Sequence, residues 1–243
     1  MTENHFAGRI ARSYDSLWPE LAAPEVVDPA VAFLAELAAE GAALELGIGT
    51  GRLALPLSER GVPVHGIELS PPMVDELQAK PGADRVGVTI GDFSTTRVDG
   101  TFSVAYVVRN TIMNLTTLNA QLACFENVAA HLEPGGCFVI EVMVPTLRRV
   151  PPGEQFLAFS VTPTHLGFDE FTDFVAQTSV SHHYFVHDGE AMYFAAPFRY
   201  VWPSELDLMA RVAGMRLRER WADWHRTPFT GDSPEHVSVW EKL

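Results

Sequence analysis

Two patterns of apolar residues alternate along the first part of the chain. Short apolar runs bounded by glycine, proline or polar residues predict buried strands over residues 42–46, 62–69, 86–90, 102–108 and 138–142. Helical spacing predicts helices over residues 28–40, 52–60, 71–78 and 118–132, with Pro29 at the first helical position, Gly41 beyond the end of the first helix and Ser70 as an N-cap. This alternation predicts βαβ units on a mostly parallel sheet.

The pattern changes after residue 144, where several prolines predict a loop. Residues 171–186 and 192–202 then read as two strands joined at Asp188-Gly189, a dipeptide typical of hairpin turns. Pro197 in the second strand favours an edge position or a bulge. A helix over residues 204–213 and strands over residues 217–224 and 237–241 complete the prediction.

A glycine-rich turn follows the first predicted strand, in the segment Glu45-Leu46-Gly47-Ile48-Gly49-Thr50-Gly51. Such a turn, opening a helix, lets backbone N–H groups approach a polar ligand. Glu68 ends the next predicted strand beside Leu69, where an acidic residue accepts ribose hydroxyls in nucleotide-binding folds. Taken alone, Glu68 could simply be an exposed carboxylate at the end of a strand. The order of strand, glycine turn, helix, strand and terminal acid favours a nucleoside-binding site.

Two further features bear on which nucleoside ligand this site would bind. The spacing is G-x-G-x-G, whereas dinucleotide sites favour G-x-G-x-x-G. Gly91-Asp92-Phe93 follows the third predicted strand. There, a carboxylate can accept from the adenine amine while an aromatic ring covers the base.

Together with Leu132-Glu133-Pro134-Gly135-Gly136, these motifs resemble the ordered set of class I S-adenosylmethionine-dependent methyltransferases over residues 28–144. The resemblance implies an α/β fold: a Rossmann-like doubly wound sheet of seven strands, the last antiparallel, with an antiparallel β cap inserted after strand five. It implies S-adenosylmethionine as cofactor. The donor contacts it implies come from the glycine turn with Glu45, from Glu68 and Leu69, from Asp92 and Phe93, and from the backbone of Val108.

The segment Tyr14-Asp15-x-x-Trp18 and the strands after residue 144 are similar to small-molecule methyltransferases, including those that N-methylate nucleotide-linked sugars. The similarity implies that Tyr14 and Trp18 fold over the donor, although packing is an equal reading of both. The expected division is a lid segment (1–27), a donor-binding core (28–144), a cap that walls the acceptor pocket (145–202) and a C-terminal completion of the core (203–243).

The charge and the cysteine content argue against several classes of partner and site. The chain has 17 Lys and Arg against 31 Asp and Glu, a net charge of −14 that argues against a nucleic-acid substrate. Cys124 and Cys137 fit neither a disulfide framework nor a zinc motif, and no metal site is expected. With no leader or membrane-length apolar run, we expect a cytoplasmic protein without membrane contact.

Few residues stand out as acceptor contacts. Arg109 and Asn110 follow the fourth predicted strand at the ligand-binding edge of the sheet, although Arg109 could equally pair with a surface acid. His165, in the cap, is the candidate base or orienting group, and the other histidines read as surface or core residues. The many aromatic rings of the cap fit a pocket wall, a satellite core or the face of a homodimer.

The sequence therefore predicts methyl transfer to a small-molecule acceptor, nitrogen or oxygen with nitrogen preferred, by in-line displacement in a desolvated pocket. Two alternatives remain open at this point. One is a catalytically silent S-adenosylmethionine-binding or scaffold protein of the same fold; the other is a nicotinamide-dependent oxidoreductase.

Overall fold

The computed structural model describes residues 4–6, 8–187 and 189–243. The α-helices in this part of the chain are α1 (Gly8–Leu17), α2 (Pro24–Ala38), α3 (Ala54–Glu59), α4 (Pro71–Gln78), α5 (Leu118–His131) and α6 (Pro203–Val212). The strands are β1 (Ala43–Leu46), β2 (Val64–Glu68), β3 (Val86–Ile90), β4 (Phe102–Val107), β5 (Leu132–Met143), β6 (Phe156–Val161), β7 (His165–Asp173), β8 (Thr178–His187), β9 (Glu190–Arg199), β10 (Met215–Trp221) and β11 (Glu235–Lys242). None of these helices is long and apolar enough to span a membrane.

The main sheet has seven strands in the order β10-β11-β5-β4-β1-β2-β3. Strands β1 to β5 pair in parallel, and β11 pairs antiparallel with both β5 and β10. The predicted doubly wound sheet with an antiparallel last strand is confirmed. The strand order reverses between β1 and β4, and in such sheets ligands bind at the carboxyl edge beside the reversal.

Helices cover both faces of this sheet. On one face, α5 and α6 pack with Leu44 and Leu46 of β1 in one apolar cluster. On the other, α2 and α3 pack with Ala43 and with Val104 of β4. Side chains alternate between the faces along each strand, so β1 contributes to both layers and fixes the glycine turn that follows it.

The inserted cap is a separate antiparallel sheet in the order β6-β7-β8-β9. The prediction of one strand over residues 171–186 was wrong, because the chain turns between β7 and β8. That turn contains neither glycine nor proline: the Asp173 carboxylate accepts the N–H groups of Val175 and Ala176 at 2.7 and 2.9 Å, and Gln177 takes a positive φ of 62°. This Asx-type turn and the strand β6 were not predicted.

The predicted hairpin between β8 and β9 is present, with His187 paired to Glu190, while Asp188 of its turn lies outside the described residues. Strand β9 is an edge strand, as Pro197 indicates. Helix α2 corrects another prediction, since it begins at Pro24 and holds Pro29 inside it. Pro24 occupies the favourable first turn, and the interior Pro29 gives up one backbone hydrogen bond near the helix start.

The N-terminal segment joins the cap to the core. Ile10 of α1 packs in a cluster with Phe185, Met192 and Phe194 of the cap. The Asp15 carboxylate accepts a hydrogen bond from Thr50 Oγ1 at 2.7 Å and pairs with Lys80 Nζ at 2.5 Å. Helix α1 is thus tied to the glycine turn on one side and to the cap on the other.

Candidate active site

The turn after β1 requires glycine on steric grounds. Gly47, Gly49 and Gly51 have positive φ angles of 72°, 55° and 81°. A Cβ at Gly47 would lie 2.7 Å from Thr111 Cγ2, and one at Gly51 would lie 3.0 Å from Leu77. The turn is held by the Gly47 N–H, which donates to the Ile67 carbonyl at 2.8 Å. Only glycine therefore fits this tight turn, and Gly47 and Gly49 both line the cavity that the turn borders.

Glu68 ends β2 opposite this turn and is only 8% exposed. Its Oε2 accepts the N–H of Gly49 at 2.8 Å, and its Oε1 accepts the N–H of Ser70 at 2.9 Å. Burial raises the pKa of this carboxyl, and the two N–H bonds act in the opposite direction. Each oxygen retains lone-pair capacity, so the carboxylate can accept two further hydroxyls.

These groups surround a first cavity of about 130 Å³ at the carboxyl edge of the sheet. The predicted donor contacts that line it are Tyr14, Gly47, Gly49, Glu68, Leu69, Asp92, Phe93 and Val108. Sequence reasoning missed further lining residues, among them Phe6, Arg52 and Thr111. No motif marked them, because the fold brings them to the cavity from separate segments.

Asp92 and Phe93 form one end of this cavity. The Asp92 Oδ1 accepts from the Ser94 N–H at 2.9 Å and from the Ser94 hydroxyl at 2.7 Å. The Phe93 ring is 3.9 Å from the position a Cβ at Gly47 would take, and Asn127 donates to the Phe93 carbonyl at 2.8 Å. The segment after β3 is thereby fixed with a carboxylate and a ring beside the glycine turn.

Glu45, Gly51 and Trp18 are not among the residues that line the first cavity. Glu45 is buried, and its Oε2 accepts the Tyr106 hydroxyl at 2.9 Å. Burial raises the pKa of this carboxyl to about 8. Because side chains alternate along β1, Glu45 lies on the face of the sheet that α2 and α3 cover.

A second cavity of about 460 Å³ lies between the inner face of the cap, the N-terminal segment and the core. Phe6, Tyr14 and Arg109 line both cavities, which therefore adjoin. Its wall includes the predicted residues Trp18, Arg109, Asn110 and His165. Molecules bound in the two cavities would therefore lie next to each other, close to Phe6, Tyr14 and Arg109.

Tyr14 stands at this junction. It contacts Phe6 edge-on, with ring centroids 6.1 Å apart, and Trp18 at 4.9 Å. Burial raises the pKa of its hydroxyl, with Arg52 and Arg109 acting in the opposite direction. The phenol therefore stays protonated and can donate a hydrogen bond into either cavity.

Arg109 and Asn110 form a strained turn after β4. Both are non-glycine residues with positive φ, 54° and 63°. Glu141 Oε2 accepts the Arg109 N–H at 2.9 Å, and Asn110 Oδ1 accepts the Met143 N–H at 2.7 Å. Such conformations cost on the order of 1 kcal/mol each and occur often at functional sites. The two hydrogen bonds hold the turn in this conformation, and Arg109 lines both cavities.

His165 pairs with a second histidine in the wall of the second cavity. Its Nε2 lies 3.0 Å from His183 Nδ1, and the two rings are nearly parallel, 4° apart. Burial lowers the pKa of His165, and burial together with His165 and His182 lowers that of His183 to about 4. Both imidazoles are therefore neutral near pH 7. His183 was not predicted, since cross-strand register alone brings it beside His165.

Both the sequence and the structure of this chain resemble those of known methyltransferases. Residues 43–136 match a family model described as a methyltransferase domain. Over 207 residues, 82% of each chain, the sequence is 30% identical to the cypemycin N-terminal methyltransferase of a Streptomyces species. The structure resembles the CcbJ methyltransferase of Streptomyces caelestis, with a TM-score of 0.80, 38% identity and 88% of both chains covered.

The structure also resembles a protein whose structure contains bound S-adenosylmethionine. The S-adenosylmethionine-bound structure of CalS10, an amino pentose methyltransferase of Micromonospora echinaspora, covers 100% of both chains with a TM-score of 0.69. The sequence identity is 18%, so this likeness concerns the fold.

Proposed function

The chain belongs to the class I S-adenosylmethionine-dependent methyltransferases, and from that membership we propose that it methylates an amine nitrogen of a small molecule. S-adenosylmethionine is its cofactor. The observation that carries the proposal is the pair of adjoining cavities with Phe6, Tyr14 and Arg109 in their shared wall. The first cavity, bordered by the glycine turn and Glu68, suits S-adenosylmethionine, and the second, enclosed by the cap, suits an acceptor that lies next to the methyl group.

In this proposal the first cavity holds the donor through its own polar groups. Gly47 and Gly49 take the methionine part, Glu68 accepts the ribose hydroxyls, and Asp92 with Phe93 receives the adenine, near the backbone of Val108. The place of Gly47 and Gly49 in the cavity wall and the remaining lone pairs of Glu68 support this fit. The nicotinamide alternative is excluded by the family membership.

Each of the four segments of the chain has a role in this proposal. We assign the segment 1–27 to closing over the donor, the core 28–144 to binding it, the cap 145–202 to enclosing the acceptor and residues 203–243 to completing the sheet. Support comes from the contacts of α1 with both the glycine turn and the cap. Excluding water in this way raises the effect of every polar contact inside.

Replacing Glu68 with alanine should weaken binding of S-adenosylhomocysteine by about 10- to 150-fold, the equivalent of roughly 1.5–3 kcal/mol. The reason is the loss of charge-assisted hydrogen bonds to the ribose. Isothermal calorimetry on the folded variant measures the change, with the exposed Glu59→Ala as matched control. An affinity equal to that of the parent protein would remove Glu68 from the donor site.

Methyl transfer requires little from the protein other than the correct positioning of the two reactants. S-adenosylmethionine supplies a sulfonium methyl group that is already electrophilic. The acceptor nitrogen gives its lone pair to the methyl carbon, the carbon–sulfur pair returns to sulfur, and the nitrogen releases a proton afterwards. The shared wall aligns the three atoms, and alignment of this kind contributes several kcal/mol to lowering the barrier.

Nitrogen is favoured over oxygen by the state of the histidine pair. A hydroxyl acceptor benefits from a base that takes its proton during attack, and His165 is the candidate for that role. The lowered pKa values of His165 and His183 make this pair a weak base, and an imidazole that stays neutral can still accept a hydrogen bond from an amine N–H at one ring nitrogen. The cypemycin relative is also named for methylation at an N-terminus.

An acceptor screen tests the function. Labelled S-adenosylmethionine is incubated with small primary and secondary amines and with the alcohols of matching shape, after S-adenosylhomocysteine has been seen to raise the melting temperature. We expect label in amines and none in alcohols. Label only in alcohols would overturn the choice of nitrogen, and label in neither class, despite donor binding, would overturn transfer to small molecules.

A further inference from the structure

The inner face of the cap carries a polar patch deep in the second cavity. Asp169 of β7 lies directly opposite Ser181 of β8, and Ser179 follows two residues along on the same face. All three line the cavity, and the two serines are each 4% exposed. A carboxylate and two hydroxyls therefore lie close together in a wall that also carries many aromatic rings.

The Asp169 carboxylate has no strong cationic partner. Burial raises the pKa of its carboxyl, while a hydrogen bond from Ser181 and the charge of His182 act in the opposite direction. His182 faces the other side of the sheet, where its Nε2 lies 3.1 Å from Glu170 Oε2 and its Nδ1 2.8 Å from the Tyr193 hydroxyl. Across the described residues, no Lys or Arg forms an ion pair with Asp169.

Partial burial of a carboxylate costs free energy unless a cation pairs with it. The other groups of the cavity do not do so: His165 and His183 are neutral, and Arg109 lies at the junction with the first cavity. Glu20 adds a second carboxylate to the same wall. The rings of Trp18 and Phe159 add negative π faces, which also attract cations.

We propose that Asp169, Ser179 and Ser181 form an ammonium-binding subsite for a second, positively charged group of the acceptor. Asp169 does not line the first cavity, so this group lies away from the nitrogen that is methylated. The subsite would bind the acceptor by a part that does not react and so orient the part that does. This inference rests on the proposed function, because it assigns the second cavity to the acceptor.

The test compares probes that differ only in the second group. Aliphatic diamines of increasing length are each set against the amino alcohol and the monoamine of the same length, and lysine amide against norleucine amide. Binding is measured by calorimetry with S-adenosylhomocysteine present, and methyl transfer with labelled S-adenosylmethionine. For at least one length we expect the diamine to bind about tenfold or more tightly than both analogues.

The variant Asp169→Asn keeps the shape and removes the charge. It should abolish the preference for the diamine while leaving S-adenosylhomocysteine affinity unchanged. Glu170→Gln is the matched control, because it removes the same charge from the neighbouring residue on the opposite face. It should keep the preference.

The outcomes separate this subsite from the function itself. Equal binding of diamine and amino alcohol by the parent protein would overturn the subsite, and that comparison needs no variant to fold. A preference that survives in Asp169→Asn would overturn the assignment to Asp169. An amino alcohol that binds as well as the diamine and loses affinity in the variant would indicate a hydroxyl subsite instead. Methyl transfer to monoamines without any diamine preference would leave the proposed function standing.

Discussion

Replacing Arg199 with alanine is expected to lower the free energy of unfolding by about 3–5 kcal/mol, the cost of breaking a buried ion pair from one side. Arg199 ends β9 and is only 5% exposed. Its guanidinium donates to Gln121 Oε1 of α5 at 2.6 Å, to Gln177 Oε1 at 2.8 Å and to Glu205 Oε1 of α6 at 2.9 Å. Three segments thus depend on one cation.

Truncation would leave the buried Gln121 Oε1 and the partly buried Gln177 Oε1 and Glu205 Oε1 without this hydrogen-bond donor, which is why the effect exceeds that of an ordinary surface pair. Urea unfolding of parent and variant proteins measures the difference. Arg216→Ala is the matched control, since Arg216 is exposed and pairs with Glu241 at 3.0 Å. That control should change stability by less than about 1 kcal/mol. Equal losses in the two variants would contradict a special role for Arg199.

The same network connects stability to the acceptor site. Phe198 and Tyr200, the neighbours of Arg199, both line the second cavity, and Gln121 also donates to the Arg199 carbonyl at 3.0 Å. The network therefore fixes the end of the cap nearest the core. A partly released cap should impair acceptor turnover more than donor binding, because the first cavity has no wall from β9.

Much of the donor half could be predicted because its constraints are local. Gly47 takes a positive φ of 72°, a requirement contained in one turn, and Glu68 ends the strand next to it. The alternation of strand and helix then fixes which edge of the sheet these residues share. Local backbone geometry and strand order are properties that a single sequence expresses directly.

The acceptor half could not be predicted in the same way, because cross-strand register decides it. Asp169 meets Ser181, and His165 meets His183, only after β7 and β8 turn at a site without glycine or proline. A shift of one residue would send Asp169 to the outer face. The strain at Arg109 depends on Glu141, a residue of the neighbouring strand, and is equally invisible in the sequence.

A second large effect is expected from acid, and it centres on His236. This residue of β11 is 0% exposed, and its Nε2 has no hydrogen-bond partner among the described residues. Its Nδ1 lies 2.7 Å from the Ser238 hydroxyl. Burial and the nearby Arg220 lower its pKa from 6.5 to about 3, and Asp207 acts weakly in the opposite direction.

The direction of the effect follows from which state binds the proton first. The unfolded chain protonates this histidine near its ordinary pKa of 6.5, whereas the folded protein resists protonation down to about 3. The stability associated with neutral His236 is therefore complete above about pH 6.5 and is lost progressively as the pH falls towards 3. At about pH 5 the loss amounts to roughly 2 kcal/mol.

His236→Asn isolates this contribution, because asparagine can keep a hydrogen bond to Ser238 and does not titrate. Urea unfolding at about pH 7 and pH 5 should show a stability loss about 2 kcal/mol larger in the parent protein than in the variant. The carboxylates of this acidic chain, and His183, titrate in both proteins and cancel in the difference. His225→Asn, at an exposed histidine, should reproduce the parent's pH dependence. If His236→Asn does the same, the buried imidazole is not the group through which acid destabilises the fold.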